Sequence, residues 1–120
     1  MSKTTLLRKA SDITPAPNVE CHGGTGSLVW SDVLNASFLE GRRLKFLHDN
    51  ILKPGVSIGV HEHKDDEEYY YIISGRGIMT LDGQEHEVET GDIAAVFSGG
   101  SHGLANAFNE DLRIVVFCVS

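Results

Sequence analysis

From Leu44 onward, short apolar or alternating segments are separated at brief intervals by turns that contain glycine. The clearest of these turns is Asp82-Gly83, a pair that commonly closes a tight hairpin between two antiparallel strands. Many short strands joined by such turns are typical of an all-β sandwich or barrel. The segments predicted to be strands are 44–53, 57–63, 68–74, 78–81, 85–89, 93–97 and 112–119.

The first 27 residues lack this pattern. Pro15 and Pro17 favour extended backbone for themselves and for the residues that precede them. We therefore expect an arm that lies either along a sheet or against a partner subunit. The glycines between His22 and Ser27 are not followed by Gly-Lys-Ser/Thr, so we interpret them as a turn or bulge before a strand and not as a phosphate loop.

A length of 120 residues fits one domain, and a domain of this size can bury a core without disulfide bonds. We predict an arm and first turn at 1–27 and a barrel at 28–120. Only the stretch from Ser37 to Arg43 is a candidate helix, and it is short. The fold class expected is therefore all-β, in a single domain.

The net charge of the chain argues against two classes of binding partner. Its formal net charge is −7, which gives no electrostatic support for binding nucleic acid or an anionic membrane surface. No apolar run approaches the roughly 20 residues that span a bilayer. The basic residues Lys3, Arg8 and Lys9 are not followed by an apolar stretch, so a secretory signal is not expected. Cys21 and Cys118 are predicted to be unpaired thiols in a cytoplasmic protein.

Two histidines in the second predicted strand are the first candidates for chemistry. His61 and His63 are two residues apart, so on a strand both side chains point to one face, about 7 Å apart along the strand. Two imidazoles on an inward face can share a metal ion, although His-x-His pairs also occur on solvated strands. Ser57 and Gly59 lie on the same predicted face, and their small size would leave room for a cavity.

An acidic turn follows and leads into the next predicted strand. We interpret Asp65 and Asp66 as part of a solvated acidic loop, whereas Glu68 begins a strand and could face the two histidines. If Glu68 points inward, alternation places Tyr70 and Ile72 inward as well, with Tyr69 and Tyr71 facing outward.

One more histidine follows a glycine-rich bend. His102 comes after Ser98-Gly-Gly-Ser101 and before Gly103. Taken alone, it would be interpreted as a histidine in a surface loop. His102 becomes a candidate for chemistry only together with His61, His63 and Glu68.

Together these residues resemble the two sequence motifs of the cupin superfamily. The positions that match the first motif in spacing are Gly55, His61, His63, Glu68 and Gly75. The positions that match the second are Gly91, Gly99, His102 and Asn106, with Phe97 where the motif has proline. The chain also looks like small single-domain cupins that are described, from similarity alone, as oxalate decarboxylases or oxalate-binding proteins.

The resemblance implies a double-stranded β-helix, also called a jelly-roll barrel, and a metal bound by His61, His63, Glu68 and His102. Three imidazoles and one carboxylate suit a divalent transition metal such as Mn, Fe, Ni or Zn, with Mn or Fe favoured. Small cupins also commonly pair sheet to sheet, so a homodimer is expected.

The function implied is that of a metal-dependent enzyme, a decarboxylase or a dioxygenase, acting on a small oxygenated acid that chelates the metal. The acid could be oxalate-like or diketone-like, and Tyr70 or His48 could supply a proton. The alternative is a non-catalytic module that binds or senses a small ligand. His22 and His86 match no motif position and are expected to be structural or exposed.

Overall fold

The chain forms ten strands and one short helix in the computed structural model, which describes residues 4–120. The first three residues of the predicted arm lie outside the described residues. The strands are β1 (Ala16–Val19), β2 (Ser27–Leu34), β3 (Leu44–Leu52), β4 (Ser57–Glu62), β5 (Glu67–Ser74), β6 (Arg76–Leu81), β7 (Gln84–Glu89), β8 (Ile93–Val96), β9 (Ser101–Ala105) and β10 (Leu112–Val119).

The strands assemble into two sheets that face each other as a jelly-roll barrel. One sheet has six strands in the order β1-β2-β3-β10-β5-β8, and the other has four in the order β4-β9-β6-β7. Every strand pair is antiparallel. The all-β class predicted from the sequence is confirmed, and so is the single domain, since both sheets enclose one core.

The hairpin between β6 and β7 shows why the turn pattern was informative. Leu81 pairs directly with Gln84, which leaves Asp82 and Gly83 as a two-residue loop. Both loop residues have positive φ, 48° and 82°, as the turn that matches the twist of a hairpin requires. The predicted strands after Leu44 all occur, with boundaries shifted by at most two residues.

The predicted arm contains a strand of its own. β1 pairs with β2 at the edge of the six-stranded sheet, with Ala16 opposite Trp30 and Val19 opposite Ser27. Of the two alternatives for the arm, this is the one in which it lies along a sheet. The glycine cluster after it leads into β2, as expected for a turn before a strand.

Taken alone, His102 would be assigned to a surface loop, but the structure places it on a strand. The glycine-rich bend ends at Gly100, and β9 then lies between β4 and β6 in the four-stranded sheet. His102 is completely buried there. The period of this strand is hard to see in the sequence because Leu104 is its only large apolar residue.

The helix is short, as predicted. α1 (Ala36–Leu39) is a single turn whose first residues are capped by Asn35, which accepts a hydrogen bond from the Ser37 amide at 2.9 Å. Among residues 4–120, no helix is long and apolar enough to cross a membrane.

Candidate metal centre

Strands from both sheets bring four chemically active side chains to one point inside the barrel. His61 lies on β4 directly opposite His102 on β9, within the four-stranded sheet. His63 follows the end of β4, and Glu68 lies on β5 of the facing sheet. Alternation along the chain turns His61 and His63 to the same side, as the sequence predicted.

The four donor atoms are close enough to share one ion. The Nε2 atom of His102 lies 3.1 Å from Nε2 of His61 and 3.2 Å from Nε2 of His63. The Oε1 atom of Glu68 lies 3.1 Å from Nε2 of His102, 3.5 Å from that of His63 and 3.9 Å from that of His61. A first-row ion with ligands at about 2.1 Å separates neighbouring donors by roughly 3.0–3.5 Å, so the group could hold such an ion.

Burial and charge prepare these donors for coordination. Burial alone raises the pKa of the Glu68 carboxyl, but hydrogen bonds from His102 and His61 and the nearby imidazolium charges lower that pKa to about 2. Burial lowers the pKa of His102, opposed by the neighbouring Glu68. Burial also lowers the pKa of His61, but hydrogen bonds with Glu68 and the Gly59 carbonyl oxygen, together with the Glu68 charge, outweigh it and raise that pKa. The site therefore favours an ionised Glu68 carboxylate, the form that binds metal.

Two of the imidazoles are oriented through their other ring nitrogen. Nδ1 of His61 lies 2.8 Å from the Gly59 carbonyl oxygen, and Nδ1 of His63 lies 2.8 Å from Oδ1 of Asp66. When Nδ1 carries the proton and donates to these oxygens, the lone pair of Nε2 faces the centre of the cluster. Such contacts behind the ligands commonly fix the tautomer of a metal-binding histidine and increase its basicity.

Asp66 corrects the interpretation of the acidic turn. Asp65 is exposed as expected, but the Asp66 side chain is only 15% exposed and contacts both His63 and Lys45, whose Nζ lies 3.0 Å away. Burial raises the pKa of Asp66, and these two partners outweigh that effect and lower it. The spacing from His63 to Asp66, three residues around a turn, was the available sign of this contact.

His22 is a neighbour of the site that no motif predicted. Its ring stacks on the His61 ring, with centroids 3.6 Å apart and planes within 11°. Burial and the nearby His61 lower the pKa of His22. Although its side chain is exposed, as expected, it therefore covers one face of a candidate ligand.

The turn that carries His22 also corrects the expected cavity over β4. The 3₁₀ turn Cys21–Gly23 packs so closely on β4 that a Cβ atom at Gly59 would collide with the His22 carbonyl oxygen. Glycine at 59 therefore admits neighbouring backbone, and neither Ser57 nor Gly59 lines the cavity beside the cluster. Non-glycine residues with left-handed backbone flank the contact, Glu20 at φ 49° and His22 at φ 50°. Strain of this kind is often found near functional sites.

A cavity of about 90 Å³ lies next to the cluster, on the inner face of the six-stranded sheet. Glu68 and both residues predicted to move protons, Tyr70 and His48, line it. Tyr70 is buried, and its burial together with the Glu68 charge raises its pKa well above the ordinary value. Tyr70 and Ile72 point inward and Tyr71 is exposed, as alternation predicted.

His48 occupies an aromatic wall of this cavity. Its ring stacks on Phe46 with centroids 4.2 Å apart and meets Trp30 edge-on at 5.2 Å. Burial lowers its pKa, while Asp32, whose Oδ1 is 3.4 Å from Nε2 of His48, opposes the shift. His48 therefore favours the neutral form and lies apart from the four-residue cluster.

The two cysteines are free thiols, as predicted. Cys118 is buried, with its Sγ 3.6 Å from Oδ2 of Asp66. Burial, Asp66 and Glu68 raise its pKa to about 12, so the thiol stays protonated. The nearby group of His63, Asp66 and Cys118 could also hold an ion, but it shares His63 with the first cluster and offers three donors instead of four.

Known proteins are similar to this chain in sequence and in fold. Residues 50–118 match the family model described as "Cupin domain". The oxalate-binding protein of Thermotoga maritima is 29% identical over 97% of this chain and 95% of its own length. An uncharacterised protein of Methanocaldococcus jannaschii is 33% identical over 75% of this chain and 70% of its own.

A solved structure has the same fold. The crystal structure of a predicted oxalate decarboxylase from Thermotoga maritima superimposes with a TM-score of 0.88 at 28% identity. The match covers 95% of this chain and 98% of that one. The family model spans more than half of the chain and includes all four residues of the cluster, and the chain therefore belongs to the cupin family.

Proposed function

We propose that this protein is a metal-dependent enzyme that acts on a small oxygenated acid, oxalate-like or diketone-like, bound to an ion held by His61, His63, Glu68 and His102. The observation that carries the proposal is the convergence of three imidazole nitrogens and one carboxylate oxygen beside a small cavity. Four protein ligands leave one or two positions of a five- or six-coordinate ion for a substrate.

The donor set favours manganese or iron, with nickel or zinc as further candidates. When bound, such an ion would act as a Lewis acid on the carboxylate or carbonyl oxygens of the substrate and, in the case of iron, would activate dioxygen. The part of the protein is to hold the donors in place and to limit the space beside them. The cavity of about 90 Å³ admits only a small substrate.

Two residues are proposed to handle protons. Tyr70 lines the cavity beside Glu68, and its raised pKa keeps the phenol protonated and able to donate. His48 lies on the same cavity and is held neutral by burial, so its imidazole can accept a proton. The variants Tyr70→Phe and His48→Gln would separate the two roles, because each removes one proton-transfer group while retaining much of the side-chain volume.

The alternative is a protein that binds or senses a small acid without changing it. The name of the Thermotoga relative, an oxalate-binding protein, favours this candidate, because it describes binding without a reaction. The site geometry is compatible with both, since a chelating ligand occupies the same open positions in either case.

Turnover distinguishes the two candidates. Protein purified without added metal is analysed for its metal content, reloaded with manganese or iron, and incubated with oxalate or a short β-diketone. We expect carbon dioxide release or oxygen uptake that is lost in His102→Ala and retained in His86→Ala, since His86 is exposed and outside the cluster. Saturable acid binding without any product would favour the binding protein, and the absence of both would contradict the two candidates together.

We also propose a homodimer formed through the outer face of the six-stranded sheet. Tyr71 and Ile93 face each other there and are 42% and 59% exposed, and Phe97 is 58% exposed. Exposed apolar clusters of this kind commonly mark an interface between subunits. Light scattering should give twice the 13.1 kDa of one chain, and Tyr71→Arg should shift the protein towards the monomer. A monomer at micromolar concentration would contradict this assembly.

The cytoplasm is the location that we propose. Cys21 and Cys118 are both unpaired, which suits a reducing compartment. Recovery of the native protein from an extracellular or periplasmic fraction would contradict the proposal.

A further inference from the structure

Two buried asparagines in the barrel interior are satisfied very differently. Asn106 is 2% exposed, and its amide donates to the carbonyl oxygens of Leu52 and Glu110 and accepts from the Phe108 amide. Asn50 is 4% exposed, yet its Oδ1 has no hydrogen-bond partner among the described residues. Asn106 therefore has a structural role that is visible in its contacts, whereas that of Asn50 is not.

An unpartnered buried acceptor destabilises the fold, so it calls for an explanation. Asn50 lies on the inner face of β3, level with Trp30 on one side and Ile114 on the other. Its side chain lines the same cavity of about 90 Å³ that Glu68 lines. The cavity therefore extends from Glu68, one of the four candidate ligands, to Asn50, whose amide oxygen lacks a donor.

The size and lining of the cavity restrict what can satisfy that oxygen. A volume of 90 Å³ holds about three water molecules, which corresponds to an acid of two or three carbons. Trp30 lies opposite Asn50 on the neighbouring strand and forms an apolar wall there. A carboxylate at this end would bring an acceptor to an acceptor, whereas a hydroxyl would supply the missing donor.

We infer that Asn50 recognises a hydroxyl group at the end of the ligand that points away from the metal, so that the preferred ligand is a short hydroxy acid. This inference rests on the proposed function, because the carboxylate of the same ligand would occupy the open positions of the ion. It assigns Asn50 a role in specificity, separate from metal binding and from proton transfer. A dicarboxylate of equal length gains nothing from this contact.

Three acids with the same carbon skeleton length test the assignment: 3-hydroxypropionate, propionate and malonate. Their affinities for the manganese-loaded protein are measured by titration calorimetry, for the wild type and for Asn50→Leu. We expect the wild type to bind 3-hydroxypropionate at least tenfold more tightly than propionate, and malonate no more tightly than propionate. In Asn50→Leu the tenfold advantage should disappear, while the affinity for propionate stays within about twofold.

Thermal unfolding and metal content separate recognition from a structural role. Leucine is close to asparagine in size and adds no polar group, so Asn50→Leu should bind manganese normally and melt at or above the wild-type temperature. Asn106→Leu, which breaks three hydrogen bonds, should melt at a lower temperature. Asn50→Ala serves as a second variant in case leucine does not fit.

The possible results distinguish this inference from the proposed function. If the three acids bind but neither Asn50 variant changes the preference, or if malonate binds best, the role of Asn50 is overturned and the metal site stands. If propionate affinity falls as much as that of 3-hydroxypropionate, Asn50 supports the site as a whole and recognition of a hydroxyl is overturned. If the metal-loaded wild type binds none of the acids, the proposed function fails together with this inference.

Discussion

The two ends of the barrel interior contrast in what they bury. One end holds the cluster of three histidines and Glu68, with polar atoms 3.1–3.9 Å apart. The other end is filled mainly by apolar side chains that are almost completely buried, namely Leu52, Met79, Leu104, Leu112 and Ile114. Both ends lie between the same two sheets and are enclosed by strands of the same kind.

The difference shows how stability and chemistry are divided. Burying charged and polar groups together is costly unless they are well paired, whereas burying aliphatic groups stabilises the fold directly. We interpret the aliphatic end as the part that holds the barrel together, so that the polar end can remain arranged for an ion. Variants at the aliphatic end should therefore change the stability of the fold, and variants at the polar end should change metal binding.

The largest effect is expected at the aliphatic end. Leu112→Ala removes a fully buried side chain and should lower the free energy of unfolding by about 2–5 kcal/mol. Denaturant unfolding of the metal-free protein would measure it. The matched control is Arg113→Ala on the outer face, whose exposed ion pair with Asp49 should contribute less than about 1 kcal/mol. Similar losses in both variants would show that the core is not concentrated at this end.

A smaller effect is expected when a metal is added to the polar end. Binding to the folded state alone stabilises by about 2.7 kcal/mol at a hundredfold excess over Kd, so the melting temperature of the wild type should rise. His61→Ala and His102→Ala should lose this rise, and the exposed His86→Ala should keep it. Retention of full metal occupancy in the first two variants, or equal loss in the third, would break the comparison.

Acid should remove the stabilisation by metal, because it protonates the histidine ligands. Protons compete with the ion for the imidazole nitrogens, whose ordinary pKa is about 6.5. The stabilisation by metal is therefore present above this pH and is lost as the pH falls below it. Melting temperatures measured with and without metal between pH 8 and pH 5 should converge at the acid end, and a constant difference would contradict binding through histidine.

A moderate loss of metal affinity is expected when Asp66, which contacts Nδ1 of His63, is changed. Asp66→Asn removes the charge beside Nδ1 of His63 while retaining the shape of the side chain. Loss of such a contact commonly lowers metal affinity by about 10–100-fold. Competition with a metal-sensitive dye would measure the change. Asp65→Asn is the control, because Asp65 is exposed. The metal affinity of this variant should match that of the wild type.

The smallest effect concerns the two thiols. Burial raises the pKa of Cys21, and burial together with Asp66 raises that of Cys118 to about 12. Because the thiolate is the reactive form, both should alkylate slowly, and the fully buried Cys118 more slowly than Cys21. Mass spectrometry after timed treatment with iodoacetamide would give both rates, and equal rapid labelling would show that the interior is open.

Much of the fold was predictable because it depends on local pattern. The strands after Leu44 follow alternation and turn residues, which act within a few positions of each other. The four residues of the cluster were identified from motif spacing, although the sequence taken residue by residue placed His102 in a surface loop. Its burial depends on β9 lying between two other strands, which no short window of sequence reveals.

The surroundings of the site were decided by the tertiary structure alone. His22 reaches His61 across 39 positions of sequence, and the contact requires a glycine at 59 to admit the turn. Asn50 differs from Asn106 only in which groups the fold places beside each amide. Periodicity and turn residues were enough to predict most strands after Leu44, and the resemblance to the cupin motifs identified the four donors. Burial, stacking and hydrogen-bond partners were decided by the packing of the two sheets, because each depends on residues that are distant along the chain.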